Sequence, residues 1–232
     1  MRAKYSIVSV LAAVALGSAA AVAAPVSITV PNYSFETTGG WTSSQPDWNN
    51  GVGVVSEVAG ASKYDQVGGF LPAPADLTHV AVLTGYVNWT GSLWSDGLGT
   101  LSGTGGAASS VYTLTVAVGW PNTQPGDVIP SGGTPSISLL LGANVLQTTP
   151  ATPLTQGAFS DFQATYTVLG TESATDQLSI RFNWTNATNP ATFAQASFDN
   201  VRLTVDAVPE PATAGLLALA ASAGLLVRRR RA

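Results

Sequence analysis

The 232-residue chain has no cysteine, one histidine and one methionine, and only 9% of its residues are charged. Without cysteine there can be no disulfide, no thiolate zinc site and no thiol nucleophile. The lone histidine, His79, has no obvious carboxylate partner, and no Gly-x-Ser-x-Gly elbow suggests a serine triad. No glycine-rich loop leads from a strand into a helix, so Gly97–Gly106 reads as a loop and not as a phosphate cradle. The acids are scattered, and Asp65 and Asp127 sit where turns favour aspartate, so no pair stands out for glycoside hydrolysis. From these absences the sequence predicts a protein that is not an enzyme.

Positive charge is scarcer still in the body of the chain. Between residues 24 and 207 the basic residues are Lys63, Arg181 and Arg202, against twelve acids, a balance of −9. Such a surface has almost no means of neutralising phosphates, so nucleic acid and anionic lipid are poor partners and no nucleic-acid partner is expected.

Helical periodicity is also rare there. Period-2 runs recur instead, at Ser27–Val30, Val80–Leu83, Val111–Val118, Ser136–Leu141, Phe162–Val168, Leu178–Trp184 and Ala196–Val205. Loops rich in Gly, Pro, Ser and Thr separate them at Gly97–Gly106, Asn122–Gly133 and Thr148–Gly157. Thr100-Leu101 offers a short edge strand inside the first of these. Strands spaced in this way, without intervening helices, predict one all-β domain, an antiparallel β-sandwich.

The two ends read as addresses. Arg2 and Lys4, an apolar stretch from Ile7 to Leu16, and Ala21-Val22-Ala23 make residues 1–23 a signal peptide, cut after Ala23 and exported through the Sec translocon. At the other end Val208-Pro209-Glu210-Pro211 stays extended because of its prolines. Residues 212–227 carry no charge and would form a transmembrane helix of roughly 24 Å. Arg228, Arg229, Arg230 and Arg231 would hold its end in the cytoplasm.

In that order, the Pro-Glu-Pro motif, apolar helix and arginine cluster of residues 208–232 resemble the PEP-CTERM sorting signal of bacterial exported proteins. The resemblance implies recognition by an exosortase. It implies a transient inner-membrane anchor with the domain on the periplasmic side, then release to the cell surface or extracellular matrix of a Gram-negative-type bacterium. The expected function is therefore a non-catalytic surface protein associated with exopolysaccharide or biofilm.

Within residues 24–207, Pro31-Asn32-Tyr33-Ser34-Phe35-Glu36 with Gly39-Gly40-Trp41, and Ser197-Phe198-Asp199-Asn200-Val201-Arg202-Leu203, resemble the first and last strands of the galactose-binding-like β-jelly roll. Tyr112–Gly119 and Ile137–Val145 resemble its central strand and the hairpin that follows. The resemblance implies a jelly-roll sandwich with adjacent terminal strands, and a structural calcium held by Glu36, Asp199 and carbonyls near Lys63. An all-oxygen site of this kind suits calcium. It also raises an alternative function, a carbohydrate-binding module in which Trp48, Trp89, Trp94 and Trp120 in loops stack on sugar rings. Trp48 has the polar neighbours Asp47, Asn49 and Asn50, and Trp89 and Trp94 flank a Thr-Gly-Ser-Leu turn. Trp41 and Trp184 read as core.

Overall fold

The described residues include eleven strands, the longer ones mostly built on alternating apolar and polar residues: β1 (Val26–Ile28), β2 (Asn49–Asn50), β3 (Val54–Val58), β4 (His79–Gly85), β5 (Thr90–Ser95), β6 (Val111–Gly119), β7 (Gly133–Leu141), β8 (Asn144–Pro150), β9 (Phe159–Thr167), β10 (Leu178–Asn186) and β11 (Ala194–Asp206). They come from a computed structural model that describes residues 24–36, 48–50, 54–58, 76, 79–85, 90–119, 133–154, 157–186 and 194–206.

The strands form two antiparallel sheets. One runs β3-β4-β11-β6-β9, with β1 also paired to β11; the other runs β2-β5-β10-β7-β8. The first and last strands are neighbours, with Val26 opposite Val205 and Ile28 opposite Leu203. Leu114, Val116, Leu203 and Val205 of the six-stranded sheet share one core with Leu93, Ile137, Leu139, Ile180 and Phe182 of the other. The rings of Phe182 on β10 and Phe198 on β11 stack across that core, 4.7 Å apart and 3° from parallel. The fold is thus the expected all-β antiparallel sandwich, and all seven expected strands are present.

Four further strands were not foreseen. Thr90-Gly91-Ser92-Leu93, expected as a turn, lies in β5, where Thr90 opposes Thr185 and Gly91 opposes Trp184. The β10 ladder overrides the local turn preference of a Gly-Ser pair. Asn144–Pro150 extends into what reads as loop, because β8 returns along β7 from a Gly142-Ala143 turn. Gly142 has φ +56°, so its missing side chain suits the left-handed turn. At Thr100 the expected edge strand reduces to a single bridge to Gln177, followed by a 3-10 turn at Ser102–Thr104.

The six-stranded sheet has a second covered face. Ala81 and Leu83 of β4 join the sandwich core, so Val80 and Val82 point the other way, yet both are fully buried. Together with Phe159 they form a separate apolar cluster. A strand in a sheet with one wet face would alternate; β4 instead reads apolar on both sides, as strands covered twice do.

Candidate functional site

Two features converge on β11 around Asp199. The first is a turn and a bulge that hold carboxylates. Phe35 donates its amide to the carbonyl of Asn32 at 3.0 Å, closing the opening turn, and Val201 donates to the carbonyl of Tyr33 at 2.9 Å. Asn32, Phe35 and Asn200 all have left-handed backbones, with φ of 45°, 60° and 46°. Such conformations are strained for residues with side chains and persist where surrounding structure enforces them. Here the enforcement is aromatic. The ring of Phe35 packs 5.1 Å from Trp48, Trp48 stacks 5.1 Å from Phe182, and Phe182 stacks on Phe198. The residue after each terminal Phe is a carboxylate, Glu36 or Asp199.

Asp199 is completely buried. Its Oδ1 accepts from the amide of Asn200 at 2.7 Å and its Oδ2 from the amide of Asp76 at 2.8 Å. The β11 ladder slips between Asp199 and Arg202, which frees the intervening backbone to turn toward the opening segment. Tyr33 lies beside these acids, and the negative charge of Asp76 raises its hydroxyl above the usual tyrosine pKa. Arg202 braces the bulge from outside, with Nε donating to the Asn200 carbonyl and Nη2 2.6 Å from Asp161.

The structure therefore joins the backbone segments that carry Glu36 and Asp199, as the calcium expectation requires, and adds Asp76 and Tyr33. The donors are oxygens, the kind calcium prefers. Among the described residues, however, no three His, Cys, Asp or Glu side chains gather as a metal cluster. Lys63 lies outside the described residues.

The second feature is the outward, covered face of the six-stranded sheet. One row across it reads Val82, Ser197, Gly119, Phe159, each opposite the next. The next row includes Asp199, Ala117 and Asp161. Ser197 and Asp199, two residues apart on β11, share this face. Small residues occupy its centre: a Cβ added at Gly119 would come within 2.8 Å of the Phe159 ring.

The expected tryptophan platform is corrected at Trp48. That indole is only 5% exposed, wedged between Phe35 and Phe182, and its Nε1 donates to the carbonyl of Pro31 at 3.1 Å. Its polar sequence neighbours suggested a loop surface, but the aromatic partners come from elements distant in sequence. Trp94 is half-buried on the outer face of the five-stranded sheet, with the Arg181 guanidinium 6.0 Å from its ring centre. Trp184 is core, as expected. Trp41, Trp89, Trp120, the sorting motif Val208–Pro211 and Arg228–Arg231 lie outside the described residues.

Residues 26–204 match the family model described as HpiC1-like, HpiC1 cyclase. The chain belongs to the HpiC1-like cyclase family. Three solved structures from Fischerella share the fold of this cyclase-family chain. The Stig cyclase Fisc from Fischerella sp. TAU, in complex with (3Z)-3-(1-methyl-2-pyrrolidinylidene)-3H-indole, is 20% identical, with TM-score 0.58 over 78% of this chain and 98% of that one. The apo form of a cyclase from Fischerella sp. is 21% identical, with TM-score 0.59 over 80% and 97%. A cyclase from Fischerella sp. TAU in complex with 4-(1H-indol-3-yl)butan-2-one is 20% identical, with TM-score 0.57 over 78% and 97%. No functionally curated protein matches the chain.

Membership in a cyclase family overturns two expectations. The chain does not read as a non-catalytic matrix protein, an exosortase substrate placed in exopolysaccharide or biofilm, and the expectation that it is not an enzyme is corrected with it. The carbohydrate-binding alternative is weaker: the family match is to cyclases, and Trp48 is no exposed platform. The absence of His-based, thiol and serine-triad signatures excluded only those chemistries.

The sequence reading passed over Asp76, Tyr33 and Ser197. The one legible signal for this second face was the run Val80-Ala81-Val82-Leu83, apolar at every position where alternation would suffice.

Proposed function

We propose that the protein is a cyclase, catalysing ring closure within an apolar, aromatic substrate of the indole class. The observation that carries this reading is the family match over residues 26–204. The indole compounds bound by two structurally similar cyclases support the substrate class.

The same reading includes a structural calcium. Glu36 and Asp199, with carbonyls of the Asn32–Phe35 turn and Asp76 nearby, would hold the ion. When bound it would supply positive charge that offsets the clustered carboxylates and locks the turn to β11. The jelly-roll assignment rests on the paired terminal strands, β1 beside β11. Residues 1–23 as a Sec signal peptide, 24–207 as the catalytic domain and 208–232 as a PEP-CTERM-like anchor make this an exported enzyme. The amino-acid pattern of the two ends supports that.

A ring closure that loses no atoms leaves mass unchanged. Incubating the purified protein with small-molecule extracts of its host, followed by chromatography and mass spectrometry, should deplete one peak and raise an isobaric one of different retention. Heat-killed protein is the control. No isobaric conversion, together with no binding of 4-(1H-indol-3-yl)butan-2-one, would overturn the reading.

A further inference from the structure

Four large apolar side chains stand exposed among the described residues: Val26, Tyr33, Val145 and Leu169. Single exposed apolar residues are ordinary, but three of these four, all except Tyr33, gather at one end of the sandwich. At that end Asp206, Val111 and Thr167 form the last row of the six-stranded sheet, and Val26 opposes Val205 one row in. Gln177, in the connection from β9 to β10, bridges Thr100, and its carbonyl accepts from the amide of Gly142 at 2.9 Å. That bond brings the β7–β8 turn, and Val145 with it, to the same end.

Leu169 is the most exposed of the three, at 72%. It is also held in place. The Glu172 carboxylate accepts from the amides of Leu169 and Gly170 at 2.6 and 2.7 Å, and from the Tyr166 hydroxyl. The neighbouring loop ties onto it, with Ser109 donating to the Val168 carbonyl at 2.8 Å. A leucine fixed outward on a braced tip adds little to the core and suits an apolar surface outside the chain.

The chain leaves the domain at this same end. Only residues 207–211 separate Asp206 from the uncharged run 212–227. Fully extended, that tether reaches roughly 20 Å. We infer that this end of the sandwich is a lipid-facing surface, and that Leu169 is its leading contact with the bilayer while the anchor is in the membrane. The inference rests on the anchor in the proposed function and goes beyond it by assigning the face and the residue. A weak contact suffices, because the tether makes it intramolecular. Asp96, Glu172, Asp176 and Asp206 lie at this end, and the described residues there include no lysine or arginine. The lipid it suits is therefore zwitterionic, since anionic headgroups would repel it.

The chain has no cysteine, so one introduced thiol carries a single label. Ala108→Cys in the full chain places a fluorophore beside the tip, since the Ala108 Cβ lies 3.2 Å from where a Cβ on Gly170 would stand. In phosphatidylcholine vesicles carrying a headgroup-nitroxide lipid, that label should be quenched severalfold more than one at Thr152→Cys. Thr152 is exposed and follows Pro150, at the opposite end of β8. Adding Leu169→Asp should remove most of the difference and leave the melting temperature unchanged, because the side chain is exposed.

Equal quenching at the two labels overturns the inference, as does quenching that survives Leu169→Asp. Label self-quenching that grows with protein density, without quenching by lipid, would make the occupant a second copy of the chain and overturn it too. In each of these cases flotation of the chain with the vesicles leaves the anchor standing. If the full chain does not float with vesicles, the anchor itself fails and the inference falls with it, while the cyclase reading is untouched.

Discussion

Val201 donates its amide to the carbonyl of Tyr33 at 2.9 Å, tying the turn that opens the domain to the strand that closes it. Around that bond lie three left-handed residues, a chain of four packed rings and the buried carboxylate of Asp199.

Chelation tests the calcium. Adding EDTA should lower the melting temperature by several degrees and added calcium should restore it, since about 1 kcal/mol corresponds to roughly 2–4 °C in a domain of this size. In Glu36→Gln and Asp199→Asn the difference between the two conditions should shrink or vanish. Equal melting curves with calcium and with chelator in wild type would remove the metal from the account.

The aromatic chain is the structural support of both carboxylates. Phe182→Ala removes the ring between Trp48 and Phe198 and should cost about 3–5 kcal/mol in a urea titration. Trp48→Phe keeps the packing but loses the Nε1 bond to Pro31, and should cost about 1 kcal/mol. A Phe182→Ala variant as stable as wild type would mean that the stack does not carry the fold.

Gly119→Ala tests how closely the covered face is packed. The new methyl would lie 2.8 Å from the Phe159 ring, so Phe159 must shift. The expected result is a loss of about 1–3 kcal/mol, typical of overpacking. A second substitution, Phe159→Leu, should recover part of it. Failure of that rescue would place the strain elsewhere.

Acid stability should report on Glu172. Its carboxylate accepts from Tyr166 at 2.5 Å and from the amides of Leu169 and Gly170 at 2.6 and 2.7 Å. The Tyr166 hydrogen bond, foremost, pulls its pKa down from 4.5 to about 2. A depressed pKa gives stability that is present above 4.5 and is lost as pH falls toward 2. Burial, and then Glu172, push Tyr166 up to about 12, so its contribution holds below 10 and fades as pH rises through 12. Urea midpoints measured between pH 2 and 6 should fall less steeply for Glu172→Gln than for wild type. Parallel curves would show that this turn does not govern the acid limb.

Much of the sandwich was legible because long, buried strands alternate. Val111–Val118 and Leu178–Trp184 carry their inward residues at every second position, and the structure places them where that pattern demands. The two-residue β2 and the glycine-containing β5 were not legible, since neither shows an alternation long enough to be told from a turn. The Phe-Glu and Phe-Asp-Asn segments could be read as a pair from the sequence. Asp76 could not, because nothing local marks it; only its amide bond to Asp199 brings it in.

By itself the sequence determined the sheet-forming pattern and the acidity of the domain, since each depends on local alternation or simple composition; the meeting of the terminal strands was implied only by the jelly-roll resemblance. Tertiary structure decided which faces are wet. Trp48 sits among polar neighbours and is core, because Phe35 and Phe182 close over it. Ser197 sits on an outward face and is sealed, because that face is covered a second time. Burial is a property of what packs against a residue, and those partners lie far away along the chain.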